Sequence, residues 1–371
     1  MSLFKLRGPL SKTQDLVLSL IGIVLFILVW WVLAEVFSKQ KAIIPDFDTE
    51  LPSSITGEVD QAVLDSIAYR DSIAYANATE FEKVYPLLPT PLSVFKSFPS
   101  LFKSDELVAN ASKSIWLNIQ GYVWAVLVAI PLGFLIALFP LFRGLLSRQV
   151  DAMRFLPLTA LTGLFIIWFG IEDEMKVAFL AFGIIVYLLP VVVQRVYEVQ
   201  DVYLKTVFTL GATDWQTIKT VYIPSVMARL MDDIRVLTAI SWTYIIIAEL
   251  VVRAGGIGSL IYIKSRQGQI PKVFAILIVI ILIGLLQDLI FVYITKRLFP
   301  HKHYESYFFG LKESRFGVLA MLGILFLAVL LNSFFGLSST VLLIMVGVIA
   351  LSGLLFALYG EYLIFSKAPK R

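Results

Sequence analysis

The chain has 371 residues, 58% of them hydrophobic and 16% charged, with a formal net charge of +4. A soluble domain carries about 25% charged residues, so a single water-surrounded globule is excluded and the main solvent of this chain is lipid. The absence of cysteine removes disulfides, thiolate metal sites and cysteine nucleophiles. With His301 and His303 as the only histidines, most metal and acid–base chemistry goes too.

In chain order, Lys5, Arg7 and Lys12 precede an apolar run at 16–37. The run is longer than the core of a signal peptide and ends at Glu35 and Lys39 without a small-residue cleavage pattern, so it reads as a retained first helix. Crossing a hydrocarbon core takes about 20 helical residues, and backbone groups inside lipid must be satisfied within the segment, which makes such runs helices. The runs at 16–37, 114–139, 155–170, 176–194, 232–252, 273–295, 316–336 and 340–365 predict an all-α integral membrane protein with about eight transmembrane helices. It divides into an N-terminal span (1–37), an extracytoplasmic loop (38–113), a core (114–300) containing a cytoplasmic segment (195–231), and a C-terminal two-helix extension (310–371).

Lysine and arginine crowd 1–15, 140–154, 195–231, 296–315 and 366–371, which alternate correctly with eight spans if both termini are cytoplasmic. The acidic segment 38–113 then lies outside. It holds a local duplication, Asp65-Ser-Ile-Ala-Tyr-Arg followed by Asp71-Ser-Ile-Ala-Tyr-Ala, which reads as an insertion packing on itself or a docking element. Its Asn77-Ala78-Thr79 matches a glycosylation sequon too short to weigh.

The most informative stretch runs Leu210-Gly211-Ala212-Thr213-Asp214-Trp215-Gln216, then Val221-Tyr222-Ile223-Pro224. It predicts a short helix, a break at Gly211, a second short helix capped by Thr213 or Asp214, and a stop at Pro224. The stretch resembles the EAA loop of binding-protein-dependent ABC permeases, whose coupling helix fits a cleft on the ATPase, and within that family it looks like the nitrate/sulfonate/taurine branch. Leu88-Pro89-Thr90-Pro91 is similar to that branch's entry into the transport core. So are Trp168-Phe169-Gly170-Ile171-Glu172, Ala248-Glu249 with Gly255-Gly256-Ile257-Gly258, and Gly284 with Asp288. The ordered set covers roughly 85–300. The chain departs from the family pattern at Lys205-Thr206-Val207, where Glu-Ala-Ala is usual, at Ala228, and at Pro157 followed by Gly163. The lost Glu bears on the usual polar anchoring of the coupling helix. The pair at 316–365 has no counterpart in the basic pattern.

The resemblance implies a type I importer permease fold in the bacterial inner membrane. The implied partners are a second permease copy, an ABC ATPase, an extracytoplasmic solute-binding protein and membrane lipid, with no nucleic acid. It implies no catalytic residue, no metal and no cofactor of the chain's own, because ATP is used by the partner and no Walker motif occurs. Lys205, Leu210, Gly211, Ala212, Thr213, Asp214, Trp215 and Pro224 are the candidate coupling residues. Glu249, Gly255, Gly256, Gly258 and Asp288 are candidates for the pore or its gate.

Plainer readings stand beside these. Gly211 alone could be an ordinary C-cap, and Glu249 could simply reach water or Arg253. Asp288, with Gln287, is better read as an interhelical hydrogen bond than as a solute contact. Asp232 and Asp233 read as a solvated helix start. Gly255–Gly258 follows a span and lacks the Lys-Ser/Thr of a P-loop, so it reads as a turn. Trp30, Trp31, Trp116, Tyr122, Trp242 and Tyr244 read as an interfacial belt. A non-transporting scaffold that recruits an ATPase is the second reading of function, and an intramembrane enzyme is disfavoured because no nucleophile, metal and base converge.

Overall fold

The computed structural model describes residues 10–42, 81–300, 310–335 and 340–367. The duplication at 65–76, the Asn77 sequon, His301 and His303 lie outside the described residues. The chain forms two units, Met1–Ser104 with Lys264–Leu277, and Asp105–Ile263 with Ile278–Arg371.

In the first unit, α1 (Lys12–Val36) starts at a capping box in which Ser11 and Gln14 satisfy each other's backbone N–H. Trp30 donates to the Pro89 carbonyl at 2.9 Å and stacks on Phe274, so it is a packing residue. The segment 38–113 is not a loop throughout, and the described residues are not all helical. β1 (Lys39–Ala42) pairs antiparallel with β2 (Phe81–Val84). Lys83 and Tyr85 both close onto Glu35. α2 (Pro91–Lys103) follows from Leu-Pro-Thr-Pro: Thr90 caps the Ser93 N–H, and Pro91 occupies the first turn, where its missing N–H costs nothing.

The second unit is organised by α3 (Leu107–Leu138), α6 (Asp173–Tyr197) and α9 (Ile223–Val252). Leu180 closes on Gly121 and Val192 on Gly133, while Lys113 pairs with Asp173 at 3.1 Å. The order of these contacts makes α3 and α6 parallel. α9 runs antiparallel to both, since Asp233 meets Arg195 and Tyr244 meets Gly183.

Parallel neighbours require the chain to return across the unit between them. That return is made by α4 (Pro140–Met153), a 3-10 turn (Leu158–Leu161) and α5 (Thr162–Phe169), with a 97° bend between the two limbs. The straight span predicted at 155–170 is therefore a bent pair that begins at 140. Pro157 precedes the turn, and Gly170, at φ 78°, ends α5. Phe165 packs edge-on against Phe179 in the first turns of α6, which places α5 at that end.

The next span begins earlier than predicted. α7 (Asp201–Thr209) is followed by α8 (Asp214–Thr217), a π turn (Ile218–Tyr222) and α9, and the apolar unit runs unbroken over Asp214–Val252. Pro224 does not stop this helix. It lacks the N–H of an i→i−4 bond, and its ring would meet the carbonyl four residues back. The π turn, closed by the Ile223 N–H on the Ile218 carbonyl, supplies one extra residue just before it. Asp233 consequently lies inside a continuous helix and not at a solvated start.

α10 (Ile257–Arg266), α11 (Ile270–Leu298), α12 (Leu311–Phe335) and α13 (Thr340–Lys367) complete the chain. Ser314 and Gly317 of α12 meet Gly353, Ala357 and Gly360 of α13 almost backbone to backbone, the small-residue seam expected where lipid supplies no hydrophobic drive. Glu361 joins this hairpin to α11, accepting from Tyr293 at 2.9 Å and Ser314 at 3.0 Å and pairing with Arg297. Among the described residues six helices are long and apolar enough to cross a membrane, and the bent pair makes a seventh. α13, predicted as the eighth, has a described apolar stretch at Leu351–Ile364.

A Cβ at Gly133 would stand 2.5 Å from Val192 Cγ1, on a stiff β-branched side chain, whereas one at Gly144 would meet nothing within 4 Å. Gly133→Ile should cost about 1–3 kcal/mol by overpacking and lower the thermal midpoint of the detergent-solubilised protein. Gly144→Ala should leave it unchanged. Equal midpoints for wild type and Gly133→Ile would refute the α3–α6 contact.

Candidate coupling segment and the polar contacts of the core

The residues 201–217 form a knob at the end of the second unit where α3 and α6 finish. α7 closes in a Schellman arrangement: the Gly211 N–H reaches the Phe208 carbonyl and the Ala212 N–H the Val207 carbonyl. Gly211 stands at φ 76°, a conformation glycine adopts without strain. Thr213 then caps α8 through a box with Gln216, at 3.3 and 2.8 Å. Gly211 is thus the C-cap position of α7, and Thr213 is the residue that starts the second helix.

The knob has two faces. Leu204 and Val207 turn inward onto Ala137, Val196, Val199, Val221 and Val226, the ends of α3, α6 and α9. Val207, standing in the Glu-Ala-Ala position, therefore anchors the knob by apolar packing. The outward face carries Tyr203, Phe208, Leu210 and Trp215, with Phe208 80% and Leu210 79% exposed. Lys205, Thr213, Asp214 and Pro224 are also exposed, and Ala212 is half-buried.

Beneath the knob, Arg195 holds Asp233 through two bonds at 2.7 and 2.8 Å and also pairs with Glu198, to which Arg229 adds a contact at 3.6 Å. The Arg195 guanidinium holds the Glu198 carboxyl below the usual carboxylate range. A bidentate fork of this kind fixes orientation as well as distance, so α6 and α9 are tied where the knob joins them. Sequence reasoning missed Arg195. Its signal was an arginine directly after the apolar run at 176–194.

At the other end of the unit, Glu249 is fully buried; its carbonyl accepts the Arg253 N–H at 2.9 Å, but its carboxylate turns to other partners. It accepts from Ser114 at 2.6 Å and from the Gly258 N–H at 2.8 Å, and Ser114 in turn accepts from the Ile257 N–H. Asn110 takes the Gly256 N–H at 2.9 Å. Gly255 and Gly256, at φ 82° and 98°, make the reversal that brings these donors together. Of the candidate pore or gate residues, Glu249, Gly255, Gly256 and Gly258 therefore form one clamped turn, and Asp288 lies outside it. Arg253 lies instead over the Tyr262 ring, 4.0 Å from its centroid. Beside the turn, Lys113 and the fully buried Lys176 both reach Asp173 and the Ala254 carbonyl.

Between the two ends, Ser241 bonds Asn118 at 3.1 Å and Tyr122 donates to the Ile234 carbonyl at 2.6 Å. Trp242 donates to Gln287 at 2.8 Å, and Arg235 pairs with Asp288 through two bonds. Asp288 and Gln287 are thus interhelical contacts, as read from the sequence. Tyr122, Trp242 and Tyr244 are buried packing residues and not a belt. An apolar cavity of about 1080 Å³ lies among α3, α9, α11 and α12, with Tyr122, Trp242 and Gln287 on one side and Leu319 and Phe326 of the C-terminal hairpin on another.

Glu249→Ala should leave the Gly258 N–H and the Ser114 hydroxyl without their acceptor, a loss of about 1–3 kcal/mol. Glu249→Gln, which keeps one acceptor oxygen, should lose less. Thermal midpoints in detergent test the order. An alanine variant as stable as wild type would refute the clamp.

Comparison with known proteins shows what the core of the chain resembles. Residues 129–300 match the family described as binding-protein-dependent transport system inner membrane component. A Bacillus subtilis (strain 168) protein described as an aliphatic sulfonates transport permease, SsuC, is 28% identical over 205 residues, covering 54% of this chain and 73% of its own. The taurine transport system permease protein TauC of Escherichia coli (strain K12) is 26% identical over 218 residues, 57% of this chain and 79% of its own. A Methanocaldococcus jannaschii protein described as an ABC transporter permease is 29% identical over 195 residues, 52% of this chain and 72% of its own. Residues 129–300 thus match a binding-protein-dependent transport system inner membrane component, and over about half its length the chain is similar to permeases described as transporting aliphatic sulfonates and taurine.

Proposed function

We infer that this permease is the membrane subunit of an ATP-driven importer. Two copies form the path, two cytoplasmic ABC ATPases engage residues 201–217, and an extracytoplasmic binding protein delivers the solute. The observation that carries the reading is the outward face of the knob. Tyr203, Phe208 and Leu210, with Trp215 at the start of the Asp214–Val252 unit, expose large apolar side chains on two short capped helices. Such a patch marks a protein contact. The chain has no phosphate-binding loop of its own, so hydrolysis belongs to the partner.

The knob is joined to the core in a way that suits transmission. Its inward face packs on the ends of α3, α6 and α9. Its second helix continues through the π turn into α9, and Arg195 locks α9 to α6. A push on the knob would therefore move α6 and α9 as one body, a rigid-body switch between two packings. The names of the sulfonate and taurine relatives favour a small sulfonate as the solute.

Gly211 tests the reading without touching the spans. A β-branched residue at φ 76° is strained by about 1–2 kcal/mol, whereas asparagine tolerates that region. Gly211→Val should insert and dimerise normally but lose most binding-protein-stimulated ATP hydrolysis in the reconstituted complex. Gly211→Asn should keep it. Full stimulation in the valine variant would remove the knob from coupling.

A further inference from the structure

We propose that Arg235 is the anion contact of the translocation path, and that Asp288 occupies its guanidinium when no solute is present. The proposal rests on the importer reading and names the charge class of its solute.

Depth comes first. Arg235 follows Ile234, whose carbonyl is held by Tyr122 near the middle of α3. It lies between the Arg195–Asp233–Glu198 cluster at one end of the unit and the Glu249 turn at the other. The pair therefore lies within the lengths of two helices that are long and apolar enough to cross a membrane, Asp214–Val252 and Ile270–Leu298. Yet it is not enclosed: the two side chains are 40% and 42% exposed. An ion pair half open at that depth does not face lipid tails. Charged groups within spans face the bundle interior or a water-filled space.

The surrounding surface agrees. Along α9 the exposed positions flanking Arg235 are Asp232, Val236, Ala239 and Thr243, a mixed row of one acid, one apolar, one small and one hydroxylated side chain covering about 16 Å at 1.5 Å per residue. The exposed face of α11 carries Ile281, Leu282, Leu285 and Leu289 instead. One helix shows a surface suited to lipid, and the other a surface suited to water and a polar solute.

The chemistry selects the charge. A guanidinium presents a planar fork that matches carboxylate and, equally, other planar or pyramidal oxyanions. In Asp288 the chain already supplies an anion seated on that fork. A sulfonate competing for the same two N–H groups would displace the carboxylate, and the resting pair would re-form once it left. About two turns further along the same side of α9, Trp242 holds Gln287, so opening the ion pair need not separate the helices.

The cysteine-free chain allows a direct test with the whole chain in lipid nanodiscs together with its ATPase. Single Ala239→Cys and Thr243→Cys variants should react with charged, membrane-impermeant methanethiosulfonates, while Leu285→Cys should not. In Ala239→Cys, the sulfonated reagent should react about tenfold faster than the trimethylammonium reagent of similar size, as expected for a basic group focusing anions in a low-dielectric cleft. Adding Arg235→Gln should abolish that preference, Arg235→Lys should keep it, and Asp288→Asn should increase it. The paired Arg235→Gln, Asp288→Asn change retains a neutral hydrogen-bonding couple and should also abolish it. Unreactive thiols at 239 and 243 would show a face covered by lipid or protein, and a preference insensitive to Arg235→Gln would show that Arg235 does not set the field. Either result overturns the proposal. Loss of ATPase stimulation in the wild-type complex would instead sink the importer reading and leave the labelling result standing.

Discussion

Hydrocarbon offers no hydrogen-bond partners, so every polar group carried into it must find one within the protein. The second unit is laid out by that requirement. Ser114 with Glu249, Asn118 with Ser241, and Tyr122 with the Ile234 carbonyl step down the α3–α9 contact. Trp242 with Gln287 and Arg235 with Asp288 do the same for α9 and α11. Each pair fixes the rotation of one helix against another. Where polar groups are missing, small residues take over: Gly133 beneath Val192, and Ser314 and Gly317 against the glycines of α13. Packing and polar contacts divide the work, because burial of apolar surface alone drives little association in lipid.

The same requirement shapes the two ends differently. At the Glu249 end a reversing turn would leave several backbone N–H groups unpaired, and one buried carboxylate with one serine and one asparagine collects them. At the knob end the chain is short-helical and capped, and its side chains sort into an inward apolar face and an outward apolar face. The first arrangement resists motion. The second is a compact body on a continuous helix, suited to being pushed. The π turn matters here, since it lets Pro224 sit inside that helix without breaking it.

The C-terminal hairpin, which lies beyond the family core, is not a loose appendage. Glu361 gathers Tyr293, Arg297 and Ser314, and Trp124 of α3 donates to Ser333 at 3.2 Å. The hairpin also walls one side of the apolar cavity. The two C-terminal helices are thus held by side chains of the helices that precede them.

The sequence by itself determined the solvent, most of the helical spans, the family resemblance, and the knob with its break at Gly211, while the choice of Thr213 over Asp214 as the cap came from the structure. The former follow from local chemistry: apolar length, and glycine where the chain must turn. It could not decide the path of 140–169, because two short limbs make a crossing only when parallel neighbours demand one. Nor could it decide the fate of Pro224, since a proline stops a helix or not according to the turn before it. The partners of Glu249, Asp233 and Asp288 were equally out of reach. Arg195 and Asp233, or Arg235 and Asp288, lie far apart in the chain, and only the antiparallel course of α9 against α6 and its contact with α11 bring each charge to its counter-charge.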